Sequence, residues 1–96
     1  MNEIDVSATM KKRLDYDTAP YIILGACNAG LAREALLAEA GVGLLLPCNV
    51  VVAASATGTA VGAIDPVAMF EVVHRPDVAP LAEAAKAMLQ RVIAAL

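Results

Sequence analysis

The sequence predicts a small single domain, residues 1–96, with about three strands in one sheet flanked by helices. Three observations carry this. Tyr21–Ala26 (YIILGA) and Cys48–Ala54 are short apolar runs bounded by cap and turn residues, with the length and composition of strands. A further run, Ala60–Ile64, follows the second across Ser55–Thr59, where Thr57-Gly58 has turn chemistry and closes a hairpin. Around these runs, apolar residues recur at helical spacing.

Taken in order, Asp5 or Ser7 can cap a short helix to about Leu14, with Val6, Met10 and Leu14 on one face. Asp15–Pro20 reads as a loop. Tyr21–Ala26 is apolar on both alternating sets, as in a strand covered on both faces. Asn28 is a good cap for a helix from Ala29 to about Ala40, which Gly41 stops. Leu44-Leu45-Leu46-Pro47 then serves as a bulky connector, since Pro47 cannot donate to a central ladder and marks a strand entrance. Asp65-Pro66 pairs a cap with proline at the first helical position and starts a short helix to about Val73. Arg75-Pro76 breaks that helix. Asp77 is the expected cap of a last helix reaching nearly to Leu96, with Val78, Leu81, Ala85, Met88, Leu89, Val92 and Leu96 as its apolar stripe. Glu83, Lys86, Gln90 and Arg91 point to water.

Composition narrows the function classes. The hydrophobic fraction of 59% includes 21 alanines, with no Trp and one Phe, so large side chains are scarce and the core is thin. Such a chain gains by burying further surface against a second copy, and a homodimer is expected. A net charge of −3 gives no basic footprint for nucleic acid. Lys11-Lys12-Arg13, followed by Asp15 and Asp17, reads as the wet face of a helix. Gly41–Ile64 carries no charge over 24 positions, but Pro47, Asn49 and Thr57-Gly58 interrupt it, so a buried hairpin is expected rather than a membrane span. Two cysteines are too few for a secreted disulfide scaffold. No signal-peptide leader is expected. Cytoplasmic residence is the expectation.

The strings Ile22–Asn28 (IILGACN) and Gly43–Val52 (GLLLPCNVVV) resemble the bacterial and archaeal family catalogued as domain of unknown function 302. Glu3-Ile4-Asp5-Val6, Pro20-Tyr21 and Asp65-Pro66 with Met69 also fit it, so the resemblance spans essentially the whole chain. It implies an α+β domain similar to TATA-binding-protein-like folds, with a small, mainly antiparallel sheet flanked by helices, and it suggests homodimers. It supplies no reaction. Members usually carry a strand–helix–strand unit before the position of Glu3, so the resemblance also implies a truncated N-terminus and an open sheet edge. Ala29-Gly30 stand where the family has prolines. From the residues alone, the helix between the first two strands also permits a right-handed parallel crossover.

The candidate site is the pair of dipeptides Cys27-Asn28 and Cys48-Asn49, each at a strand boundary. The cysteines read first as small buried hydrophobes. The alternative is a reactive or redox thiol at Cys27, beside a helix N-terminus that lowers a thiol pKa, with Cys48 as resolving partner. A disulfide would need the two Cα atoms within roughly 7 Å. Asn28 reads as a helix cap. Asn49, at the start of a buried strand, must satisfy its amide or face a pocket; both asparagines are candidate ligand contacts. His74 lies at a helix end and reads as a surface residue. No Cys-x-x-Cys or His-x-x-x-His spacing closes a metal site, and Gly41-Val42-Gly43 is no phosphate loop, so neither metal nor cofactor is expected. The leading expectation is a non-catalytic, self-associating module that binds a small apolar ligand between sheet and helices. The alternative is a thiol-dependent enzyme or redox sensor.

Overall fold

The structure, a computed structural model, describes residues 2–96. Four strands form one antiparallel sheet in the order β1-β2-β3-β4: Asn2–Asp5, Tyr21–Ala26, Cys48–Ser55 and Gly58–Ala63. Helices α1 (Val6–Leu14), α2 (Ala29–Ala38), α3 (Pro66–Phe70) and α4 (Ala79–Ala94) are inserted between and after them. The sheet is therefore a meander, and the parallel crossover that the residues permitted does not occur. After α2, a 3₁₀ segment (Ala40–Leu45) and a cis Leu46-Pro47 bond turn the chain back antiparallel to β2.

The sheet has one strand more than the three segments that read as strands from the sequence. The strand β1 pairs along its length with β2, Ile4 opposite Ile23 and Glu3 opposite Leu24. It has one apolar residue in four and is exposed throughout, so it carries no hydrophobic alternation to betray it. Its charges, Glu3 and Asp5, blunt it as an edge.

Register fixes the two faces. Ile22↔Val52, Leu24↔Val50 and Ala26↔Cys48 lie on the helix side, while Ile23↔Val51 and Gly25↔Asn49 lie on the other. Coverage of β2 on both faces is incomplete: Tyr21 is exposed, Ile22 to Leu24 are half-buried and only Gly25 is buried. The tightest packing sits among the helices instead. Ala35 of α2, Val42, Phe70 of α3, Val78 just before α4 and Ala82 in its first turn form the core, with Leu45, Leu46, Met69 and Leu81 against it. Ala82, at 1% exposure, belongs to the inward stripe that the spacing of large residues did not include. At the other end of that stripe Val92 and Leu96 are both exposed.

Caps explain most helix boundaries. The Ala8 N–H donates to Asp5 Oδ1 (2.9 Å), and the Leu31 N–H donates to Asn28 Oδ1 (3.0 Å). Asp77 does not cap α4. A 3₁₀ turn over Pro76–Val78 runs straight into the helix, and the Asp77 carboxylate accepts from Arg75 Nε and Nη2 instead (3.1 and 2.9 Å).

Asp65 does two jobs. Its Oδ1 accepts from the Val67 N–H (2.9 Å), and its Oδ2 accepts from Lys86 Nζ (3.1 Å), so the start of α3 is tied to the middle of α4. Lys86 is therefore engaged rather than free in water. The lysine bond first, and the backbone donor with it, hold the Asp65 carboxyl below its ordinary value. Folding thus favours the charged form. The stabilisation is present above the ordinary carboxylate range near pH 4 and is lost as pH falls through the lower folded value. Asp65→Asn should flatten the acid limb of a melting-temperature profile between about pH 2 and 6. An acid limb as steep as that of the parent protein would refute this role.

Candidate functional site

A cavity of about 300 Å³ opens where the ends of β2 and β3 meet α2, α3 and α4. Its walls are apolar, from Leu31 and Ala35 of α2, Phe70 of α3, and Leu81, Ala85 and Leu89 of α4. Alanine explains the space. Ala32, Ala35 and Ala85 face it where larger side chains would fill it. The chemistry in the walls is confined to Cys27, Asn28, Cys48 and Met88.

The two cysteines arrive by different routes. Cys48 opens β3 on the helix side and is buried. Cys27 stands one residue past Ala26, the register partner of Cys48, and is half-buried. Both are free thiols. Burial first, and the neighbouring Cys27 second, push the Cys48 thiol above its ordinary value. Cys48 is therefore kept neutral by its surroundings, which suits a packing role better than a nucleophilic one.

Asn28 caps α2 through its side-chain oxygen, and its amide Nδ2 donates toward Met88 Sδ at 3.7 Å across the mouth of the cavity. Asn49 is placed differently. It alternates away from Cys48 onto the opposite sheet face and is exposed, so its amide reaches water and it does not line the cavity. Its backbone carbonyl accepts from the Ile64 N–H (3.1 Å). The structure thus brings together three of the four singled-out residues and separates the fourth. It adds Met88, which the helical spacing identified only as core.

Two other hollows, of about 420 and 390 Å³, are larger but more open to solvent. One lies between β4 and the end of α4, around Val61, Leu89, Ile93 and the Asp65–Lys86 pair. The second lies by His74 and Arg75, behind α3. His74 is exposed with φ of 54°, ending a 3₁₀ turn, and shares no cavity with either cysteine.

The full sequence, residues 1–96, matches one family profile, that of a domain of unknown function. This chain belongs to the DUF302 family. A crystal structure of an uncharacterized conserved DUF302 protein from Bacillus stearothermophilus superposes on it with a TM-score of 0.86 at 23% identity, over 95% of this chain and 71% of that one. That likeness carries the α+β fold and the antiparallel sheet of the DUF302 domain. No protein of curated function matches the sequence. Among the described residues, no helix is long and apolar enough to cross a membrane.

Proposed function

We propose that this DUF302 domain is a non-catalytic module that associates with a second copy of itself and takes a small apolar ligand into the cavity between sheet and helices. The observation that carries the reading is the cavity itself: about 300 Å³, walled by aliphatic side chains and Phe70, with Asn28 as a single amide at the mouth. That is the lower end of the size range of ligand sites, with the usual pattern of apolar walls and few polar anchors. Its two unpaired thiols fit a reducing compartment, and we place the protein in the cytoplasm.

Self-association is supported by the shape. The radius of gyration is 15.3 Å, against about 12 Å for a compact chain of this length. Leu14, Leu37, Leu44 and Leu96 are all at least 70% exposed, and β4 is an uncharged edge strand of mostly small residues.

An environment-sensitive apolar fluorophore should bind the protein with saturation, and Ala85→Phe, which fills the cavity from α4, should reduce that binding at least about tenfold, the cost of roughly 1.4 kcal/mol. Equal binding by parent and variant would remove the cavity from consideration. Light scattering on the same samples should give a dimer; a well-folded monomer at micromolar concentration would reject self-association.

One observation favours a second reading, a thiol-dependent enzyme or redox sensor using Cys27 with Cys48: both thiols border the same cavity, and Cys27 precedes the N-terminus of α2. On this reading an alkylating reagent should label Cys27 in the native protein within minutes. Labelling of both thiols only after denaturation ends it.

A further inference from the structure

Three sulfur-bearing residues line the cavity, and they come from three separate parts of the fold. Cys27 follows β2, Cys48 opens β3 and Met88 lies midway along α4. No carboxylate or imidazole accompanies them in its walls. We propose that Cys27, Cys48 and Met88 form a site for one soft monovalent metal ion, copper(I). The proposal shares the cavity with the apolar-ligand reading but does not depend on it.

The ligand chemistry selects the ion. Thiolate and thioether sulfurs favour copper(I), whereas magnesium, calcium and manganese seek oxygen. A structural zinc ion takes four nitrogen or sulfur ligands in a tetrahedron, one more than this cavity offers. Three sulfurs suit the low coordination number of copper(I).

The geometry allows convergence. Ala26 and Cys48 are register partners, and Cys27 directly follows Ala26 at the end of β2, which brings the two cysteines to the same end of the sheet. Both cysteines line the same cavity, and Met88 of α4 lines it with them. The Asn28 amide, on the residue next to Cys27, donates toward Met88 Sδ at 3.7 Å and keeps the thioether at the same mouth. An outer-shell contact of this kind orients a ligand before the ion arrives.

The charge balance also works. Two neighbouring thiolates without a counter-ion repel each other, and a bound cation removes that repulsion. One copper(I) ion binds two thiols with release of two protons to solvent, leaving a complex of net charge −1; Met88 adds a neutral third ligand and copper keeps its oxidation state. The positive end of α2, ten residues long and capped by Asn28, lies beside the residual negative charge. Dispersal of the ligands over three elements explains why sequence spacing shows no metal motif.

The test uses the full chain, reduced and kept free of oxygen, titrated with copper(I) against a chromogenic copper(I) chelator. One equivalent should transfer to the protein, with new sulfur-to-copper absorption in the ultraviolet. Cys27→Ser should lose that transfer. Met88→Leu, which keeps volume, should keep the one-to-one stoichiometry but weaken binding by at least the roughly tenfold that loss of even an outer-shell partner costs. Cys48→Ser alters a buried position and can unfold, so Cys27→Ser, at a half-buried position and checked by circular dichroism, is the deciding variant. Copper left entirely with the chelator by the parent protein, or held as tightly by folded Cys27→Ser, overturns the proposal. Fluorophore binding separates the two readings. Its loss in the parent would sink the apolar-ligand function alone, and its retention in a Cys27→Ser variant that has lost copper supports a distinct metal site.

Discussion

Phe70→Ala should lower the stability of this domain by about 3–5 kcal/mol, more than any other single truncation in the chain. Phe70 is the one phenylalanine, 7% exposed, at the end of α3 where Ala35, Val42, Val78 and Ala82 meet. Its neighbours are mostly small, so the ring supplies apolar area that nothing else in the cluster can replace. A domain of this size has roughly 5–14 kcal/mol in total, and the loss is about a fifth of that or more. The cavity already borders the ring, so its removal widens an existing space, and the walls have little freedom to collapse into it. Urea unfolding read by circular dichroism measures the effect. Phe70→Leu should recover most of it by restoring volume. A midpoint shift equivalent to less than about 1.5 kcal/mol for the alanine variant would show that the helical cluster does not hold the domain together.

The importance of that one ring was readable from composition, because so few large side chains exist to share the task. The hairpin was equally legible. Val50, Val51 and Val52 are β-branched, and Thr57-Gly58 follows at turn distance, so local preference and tertiary pairing agree. Strand β1 was not legible, since Asn2, Glu3 and Asp5 have no strand preference and the segment is extended because β2 offers it a partner. The exposure of Asn49 is hidden in the sequence for a related reason. An apolar run suggests burial of the whole strand, whereas β3 alternates buried Cys48 and Val50 with exposed Asn49. The side of the sheet that the helices cover decides such a question, and no residue near Asn49 records it. Asp77 shows the limit of local cap reasoning: Arg75 competes for the carboxylate, and a 3₁₀ turn enters the helix without a break. Only pieces of the cavity could be seen, as many alanines and two cysteines. Its existence depends on α4 crossing the ends of β2 and β3, a relation between residues some 40 to 60 positions apart.

Gly25→Ala should destabilise the domain by about 1–3 kcal/mol, an overpacking effect at a position where a methyl group is usually harmless. Gly25 is buried in the middle of the sheet, between Asn2 of β1 and Asn49 of β3. A Cβ there would come within 2.9 Å of Pro47 Cγ and 3.0 Å of Asn2 Cβ. Its backbone is ordinary strand, so the conflict is steric and not one of permitted dihedrals. The two obstacles differ in how readily they yield. Asn2 lies on an exposed edge strand that can shift outward, whereas Pro47 is a closed ring directly bonded to Cys48. Relief on that side must move the start of β3, and with it the buried thiol of the cavity wall. Gly25→Ala should therefore lower stability and weaken fluorophore binding together, although Gly25 does not line the cavity. The control is Gly62→Ala in β4, where an added Cβ meets nothing within 4 Å and stability should change little. If both alanines are tolerated equally, the close approach of Pro47 to β2 does not set the position of Cys48.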